Sequence, residues 1–92
     1  MRIEFDPEKD RINRRQHGVS LDVAATLFWD DAITWIDDRF HYDEYRLCAI
    51  VPGPYRLYFA AFADRQHLRR IISLRHATKK EINRYAEHHK YR

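Results

Sequence analysis

Three arginines and two lysines crowd one short stretch: Arg69, Arg70, Arg75, Lys79 and Lys80 in RRIISLRHATKKE, residues 69–81. A guanidinium is planar and offers a fork of N–H donors matched to phosphate or carboxylate oxygens, whereas an ammonium is a compact point charge. Cations at this density attract polyanions, nucleic acid foremost. The apolar pair Ile71-Ile72 lies inside the same stretch and reads as core strand. A strand that only holds a sheet together has no need of flanking cations.

The rest of the chain has the opposite sign. Residues 1–64 hold 8 Lys/Arg against 12 Asp/Glu, and residues 65–92 hold 9 against 2, so the net charge of +3 conceals a basic pole. Four of the six histidines, His67, His76, His88 and His89, fall in that pole. Charge alone leaves two readings open: a surface for a polyanion, or a solvated face that only aids solubility.

Other chemistries find little footing. The histidines form no i, i+4 pair on a helix, there is no pair of cysteines, and the adjacent His88 and His89 point away from each other on a helix. No glycine-rich phosphate loop or nucleophile elbow occurs. Asp30-Asp31 and Asp37-Asp38 read as helix-end and loop acids rather than as a two-metal centre. The expectation is therefore no metal and no cofactor. The single Cys48 lies in LCAIV and reads as a small buried hydrophobe. No secretory h-region or run of about 18 apolar residues occurs, which fits a cytoplasmic protein away from membranes.

The elements that must position the cations form one domain of 92 residues with a small core. RIEF, 2–5, reads as a short strand. Asp6-Pro7-Glu8 starts a helix that runs to about His17 and stops at Gly18. That helix is nearly all polar. Either Phe5, Ile12 and Val19 pin it as an exposed helix, or it presents Arg11, Arg14, Arg15 and His17 to a ligand. Ser20 caps a second, amphipathic helix with Leu21, Ala24, Ala25, Leu27 and Phe28 on its core face, ended by Asp30-Asp31.

The period then changes to two over 32–37, 45–51, 55–63 and 68–74, with turns at Pro52-Gly53-Pro54 and Asp64–His67 and a longer polar loop at 37–44. Thr78-Lys79-Lys80-Glu81 is a capping box that opens a last helix to about His88. The order β-α-α-β-β-β-β-α predicts an α+β fold. An antiparallel sheet of four to five strands carries two N-terminal helices and one C-terminal helix, packed on one face.

Strict alternation along 68–74 puts Leu68, Arg70, Ile72 and Leu74 on one face and Arg69, Ile71 and Ser73 on the other. Arg70 then lies on an apolar stripe and must find an anion. An acid such as Asp37 or Glu44 would serve, and so would a phosphate. Arg75 lies just past the strand, where alternation no longer gives its direction.

FDPEK at 5–9, Asn13, and HGVS at 17–20 leading into an alanine-containing helix that ends in Phe28 resemble the BrnT family. So do RIIS-x-R-x-A at 70–77, the following T-x-x-E and Tyr85. The pieces span nearly the whole chain in the family's order. The resemblance implies a RelE/ParE-like fold and an endoribonuclease toxin of a bacterial type II toxin–antitoxin system that arrests translation. It implies a cognate BrnA-like antitoxin, whose ribbon-helix-helix part binds operator DNA, so that the toxin meets DNA only through it. Storage as a dimer or a toxin–antitoxin hetero-oligomer follows from the same resemblance.

Carried over by motif, His17, Arg70, Ser73, Arg75 and Tyr85 are the positions to inspect. A metal-free ribonuclease uses the RNA's own 2′-OH as nucleophile. It needs a base for that proton, a cation at the phosphorane and an acid for the leaving 5′-oxygen. Arg70 and Arg75 fit the cation. His17 or His76 fits the base or acid, although His17 also suits a helix C-terminus as a plain cation. Tyr85 is either a stacking surface for a base or a core residue beside Ile82. The expected catalytic set is Arg70, Arg75, His17 and Tyr85, with Arg14, Arg15, Arg69, Ser73, Lys79 and Lys80 as RNA contacts. Two other functions share these features: a non-catalytic nucleic-acid-binding module and a ParE-like inhibitor of a protein such as gyrase.

Overall fold

Asp6 and Gly18 bracket the first helix as their chemistry requires. The Asp6 carboxylate accepts the Glu8 N–H, Pro7 takes the first helical position, and Gly18 stops the helix at φ 68° in the left-handed region. This helix, α1 (Pro7–His17), follows a three-residue strand, β1 (Arg2–Glu4). Two 3-10 turns (Leu21–Thr26 and Trp29–Asp31) lead to β2 (Ile33–Ile36), β3 (Leu47–Pro52), β4 (Leu57–Arg65) and β5 (Leu68–His76). The chain then enters α2 (Lys79–Lys90). This computed structural model describes residues 2–39 and 44–90. The polar loop expected at 37–44 falls partly outside them, at residues 40–43.

The fold is α+β, built on one five-stranded sheet in the order β1-β5-β4-β3-β2. It is mixed rather than antiparallel. β2, β3, β4 and β5 pair antiparallel in sequence, but β1 runs parallel to β5, with Arg2 opposite Leu68 and Glu4 opposite Arg70. No hairpin dictates the direction of β1, because its partner lies far along the chain.

The expected second α-helix is instead 3-10. Leu21, Ala24 and Leu27 are the buried residues, spaced by three, while Ala25 and Phe28 face outward and Phe28 is 50% exposed. A period of three, not 3.6, satisfies that burial. The helices also occupy both faces of the sheet. Val19, Leu21, Ala24 and Leu27 cover one face, packing with Ala49, Val51, Ala60, Phe62, Ile71 and Leu74. On the opposite face α2 lies beside Phe59 and Trp35, which its Glu81 and Arg84 reach through Arg75 and directly.

The polar helix α1 is anchored by polar groups, not by Ile12, which is 45% exposed. Asp10 and Asn13 are its buried residues. Asp10 Oδ1 accepts the Leu21 N–H at 2.7 Å and the Ser20 hydroxyl at 3.0 Å. Asn13 bonds the main chain of Val19 and Leu74. Val19 joins the core, as one of the two readings of this helix required.

Candidate nucleic-acid interface

One extra residue in β5 decides which cations share a surface. Ala61 faces Ser73, yet the next residue, Phe62, faces Ile71, so Ile72 bulges out of the ladder. Alternation restarts across the bulge. Ile71 and Leu74 both point into the core, opposite Phe62 and Ala60. Arg70, Ser73 and Arg75 come to the opposite face, across from Ala63, Ala61 and Phe59. The sequence-based alternation, which set Arg70 with Leu74 and apart from Ser73, fails at this bulge.

Arg75 is held by the start of α2. Its Nη1 and Nη2 donate to the two Glu81 oxygens at 2.8 and 2.9 Å, and its guanidinium lies over the Phe59 ring at 4.3 Å. Glu81 is also the acid of the predicted capping box: it accepts the Thr78 N–H at 2.8 Å, while Thr78 Oγ1 accepts the Glu81 N–H at 3.3 Å. Burial works against the charge on Glu81, but the bonds from Arg75 and the Thr78 N–H outweigh it and hold the carboxyl below its usual range.

Arg70 pairs with Glu44, one of the two acids considered for it from sequence. The other, Asp37, is buried and takes Arg39 with both oxygens. The Arg70–Glu44 pair opens on a cleft of about 440 Å³, also lined by Glu4, Tyr45, Asp64 and Arg65. The side chains stay 45% and 37% exposed, so a ligand can reach both.

The remaining sequence candidates are distributed elsewhere. Arg69 turns to the core face, bidentate on Asp64 at 2.8 Å and over the rings of Trp29 and Phe62. Arg14 pairs with Asp10 at 3.1 Å, and Arg15 and His17 are exposed along α1, which runs beside β5. His76 lies on the core face, edge-on to Tyr58 and 2.9 Å from Arg56 Nη1. Lys79 and Lys80 are exposed at the first turn of α2, just after the end of β5. The Tyr85 hydroxyl donates to the Asp31 carbonyl at 2.7 Å, and its ring lies 4.2 Å from that of His89. Tyr85 thus ties α2 to the turn before β2.

Sequence reasoning passed over the aromatic part of this surface. Arg84 of α2 lies over the Trp35 ring at 4.1 Å, and Trp35 meets Phe59 at 5.9 Å. A groove of about 570 Å³ runs between β2 and α2 past Trp35, Arg84 and His88. The signal was present in the alternation of Ile33 and Trp35 along β2, opposite Ile50 and Cys48. Cys48 is buried, as its surroundings predicted, and burial followed by the nearby Asp37 charge raises its thiol to about 11.

No cluster of three or more His, Cys, Asp or Glu suited to a metal occurs among the described residues, and none of their helices is long and apolar enough to cross a membrane. The surface that emerges is an arginine-bearing sheet face with an aromatic floor, bordered by a basic helix start. That is the makeup of a domain that handles phosphate-rich polymers. Residues 5–81 match the family model for the ribonuclease toxin BrnT of type II toxin–antitoxin systems, so the chain belongs to the BrnT family. A comparison with curated proteins finds no match. Membership brings an antitoxin partner and an RNA substrate as the family's working context.

Proposed function

We propose that this chain is a single-domain endoribonuclease toxin that cleaves RNA without a metal ion and thereby stops translation in the cytoplasm. The observation that carries this reading is the bulge at Ile72, which gathers Arg70, Ser73 and Arg75 on one face beside the basic start of α2. Arg70 and Arg75 donate to the phosphate as negative charge grows on it, where fixed donors act most strongly. Ser73, between them, offers a hydroxyl to a neighbouring phosphate oxygen, and Lys79 and Lys80 draw in the flanking backbone. Trp35 and Phe59 give bases a stacking surface. Arg14 and Arg15 extend the positive field from α1, whose end His17 occupies, and Tyr85 steadies α2 under the substrate. Arg69 acts by fixing β5 through Asp64 rather than by touching RNA.

The partner in this reading is a BrnA-like ribbon-helix-helix antitoxin that covers the basic face and carries the complex to operator DNA. The stored form is a hetero-oligomer of toxin and antitoxin. The test is incubation of purified protein with a defined RNA in EDTA, alone and with ribosomes, beside Arg70→Ala. Cleavage by the wild type and none by the variant is expected. No cleavage by either, with ribosomes supplied, overturns the reading in favour of a binding module or an inhibitor of a protein target.

A further inference from the structure

Most carboxylates that pair with arginine among the described residues engage both of their oxygens in doing so. Asp64 takes Arg69 with both oxygens, and Asp37 does the same with Arg39. Glu81 takes Arg75 with both and the Thr78 N–H as well. Asp10 places one oxygen on Ser20 and Leu21 and the other on Arg14. Two glutamates differ, each meeting its arginine through Oε1 alone: Glu8 with Arg11, and Glu44 with Arg70. Glu8 lies on the outside of α1 and lines none of the clefts described above. Glu44 lines the cleft of about 440 Å³ beside Arg70, and its Oε2 has no donor among the described residues.

A general base needs this combination. It must hold a free lone pair within reach of the proton it takes, and it must stand where the substrate sits. The histidines considered from sequence do not meet the condition: His76 is on the core face against Tyr58, and His17 is on α1.

We propose that Glu44 is the catalytic base of the RNA cleavage, acting in partnership with Arg70. This rests on the ribonuclease reading above. Glu44 Oε2 takes the proton of the ribose 2′-OH. The 2′-oxygen forms a bond to phosphorus, and the bond from phosphorus to the 5′-oxygen breaks. The electron pair of that bond stays on the 5′-oxygen, which takes a proton from water in the open cleft. The products are a 2′,3′-cyclic phosphate and a 5′-hydroxyl end. The pairing with Arg70 couples the two events. As Glu44 gains the proton it loses its charge and its hold on the guanidinium. Arg70 is then released toward the phosphorane at the moment negative charge develops there.

The experiment compares wild type, Glu44→Gln and Glu44→Asp, each checked for an unchanged thermal melt. Single-turnover cleavage is measured on a defined RNA, and binding on the same sequence with 2′-O-methyl riboses. Glu44→Gln is expected to slow cleavage by about 10²–10⁴-fold, the usual contribution of a general base, while binding the analogue as tightly or more tightly. Glu44→Asp is expected to recover part of the rate, and the wild-type products to carry 2′,3′-cyclic phosphate ends. Cleavage by Glu44→Gln at the wild-type rate or faster overturns the proposal and leaves Glu44 as a clamp on Arg70. A matched loss of binding and rate, without rescue by aspartate, also overturns it. Wild type that cleaves no RNA defeats the ribonuclease reading itself, a different outcome from either.

Discussion

The side chain of Asn13 brackets the backbone of Leu74. Its Nδ2 donates to the Leu74 carbonyl at 2.7 Å, and its Oδ1 accepts the Leu74 N–H at 3.1 Å. β1 covers β5 only from Leu68 to Arg70, so beyond that point the outer side of β5 is paired by a carboxamide acting in place of a strand. The same Nδ2 bonds the Val19 carbonyl at 2.8 Å, which fixes the chain as it leaves α1.

Asn13→Ala should therefore destabilise the fold far more than a typical change on a polar helix. It leaves buried main-chain groups of Leu74 and Val19 without partners, at about 2–4 kcal/mol in all. A melting midpoint lower by roughly 10–20 °C is the expected reading for a domain of this size. Asn13→Asp keeps the acceptor for Leu74 but sets a carboxylate against two carbonyls, and should be no better. A melt within two degrees of wild type for Asn13→Ala would refute the anchoring role.

Acid should unfold the protein through two groups at opposite ends of the chain. The Leu21 N–H is the chief cause that holds Asp10 below its ordinary value, with Ser20 and Arg14 adding to it against the opposing effect of burial. Glu81 is lowered by Arg75 and Thr78 against burial. Both carboxyls release their protons more readily folded than unfolded. The unfolded chain thus binds more protons in acid, and stability rises with pH through that window. Their contribution is fully present above about pH 5 and fades as the pH falls through the depressed folded values. Urea titrations from pH 7 to pH 3 should show a plateau and then a fall. Asp10→Asn should start lower at pH 7 and fall less steeply. An unchanged acid slope in that variant would remove Asp10 from the account.

Both ends of α1 and the start of α2 were legible because capping is local: Asp6, Gly18, Thr78 and Glu81 each act within a few residues. The four later strands were legible from their period of two. What stayed hidden depends on distant parts of the chain. The bulge at Ile72 carries no glycine or proline to announce it, and it shows only when β5 is laid against β4. The parallel place of β1 depends on a partner more than sixty residues away. The burial of Asp10 and Asn13 went unanticipated because a hydrophobic pattern cannot mark a polar side chain that is buried to satisfy backbone groups. The site divided accordingly. Arg70, Ser73 and Arg75 were named from sequence, yet their common face came from the bulge, and Glu44 was weighed only as a counter-ion.

Arg70→Ala should abolish toxicity and leave the fold intact. The side chain is 45% exposed and its one ion-pair partner among the described residues is Glu44, also at the surface, so little stability rests on it. Expression in a bacterial host without the antitoxin should give growth arrest for wild type and none for the variant. A folded Arg70→Ala protein that still arrests growth would sink the role assigned to this arginine.

Arg75 and Glu81 offer a sharper separation of structure from chemistry. Glu81 serves two partners: it closes the capping box on Thr78 and it holds both Arg75 donors. Glu81→Ala should fray the first turn of α2 and lower stability by about 1–2 kcal/mol, the usual worth of a cap. Arg75→Ala leaves the capping box intact, so α2 should keep its ellipticity at 222 nm. If Arg75 contacts the phosphate, the smaller structural change should carry the larger loss of RNA cleavage. The ranking of the two variants by helix content should then be the reverse of their ranking by activity. Cleavage that falls in proportion to lost helix in both would mean that Arg75 acts only by docking α2.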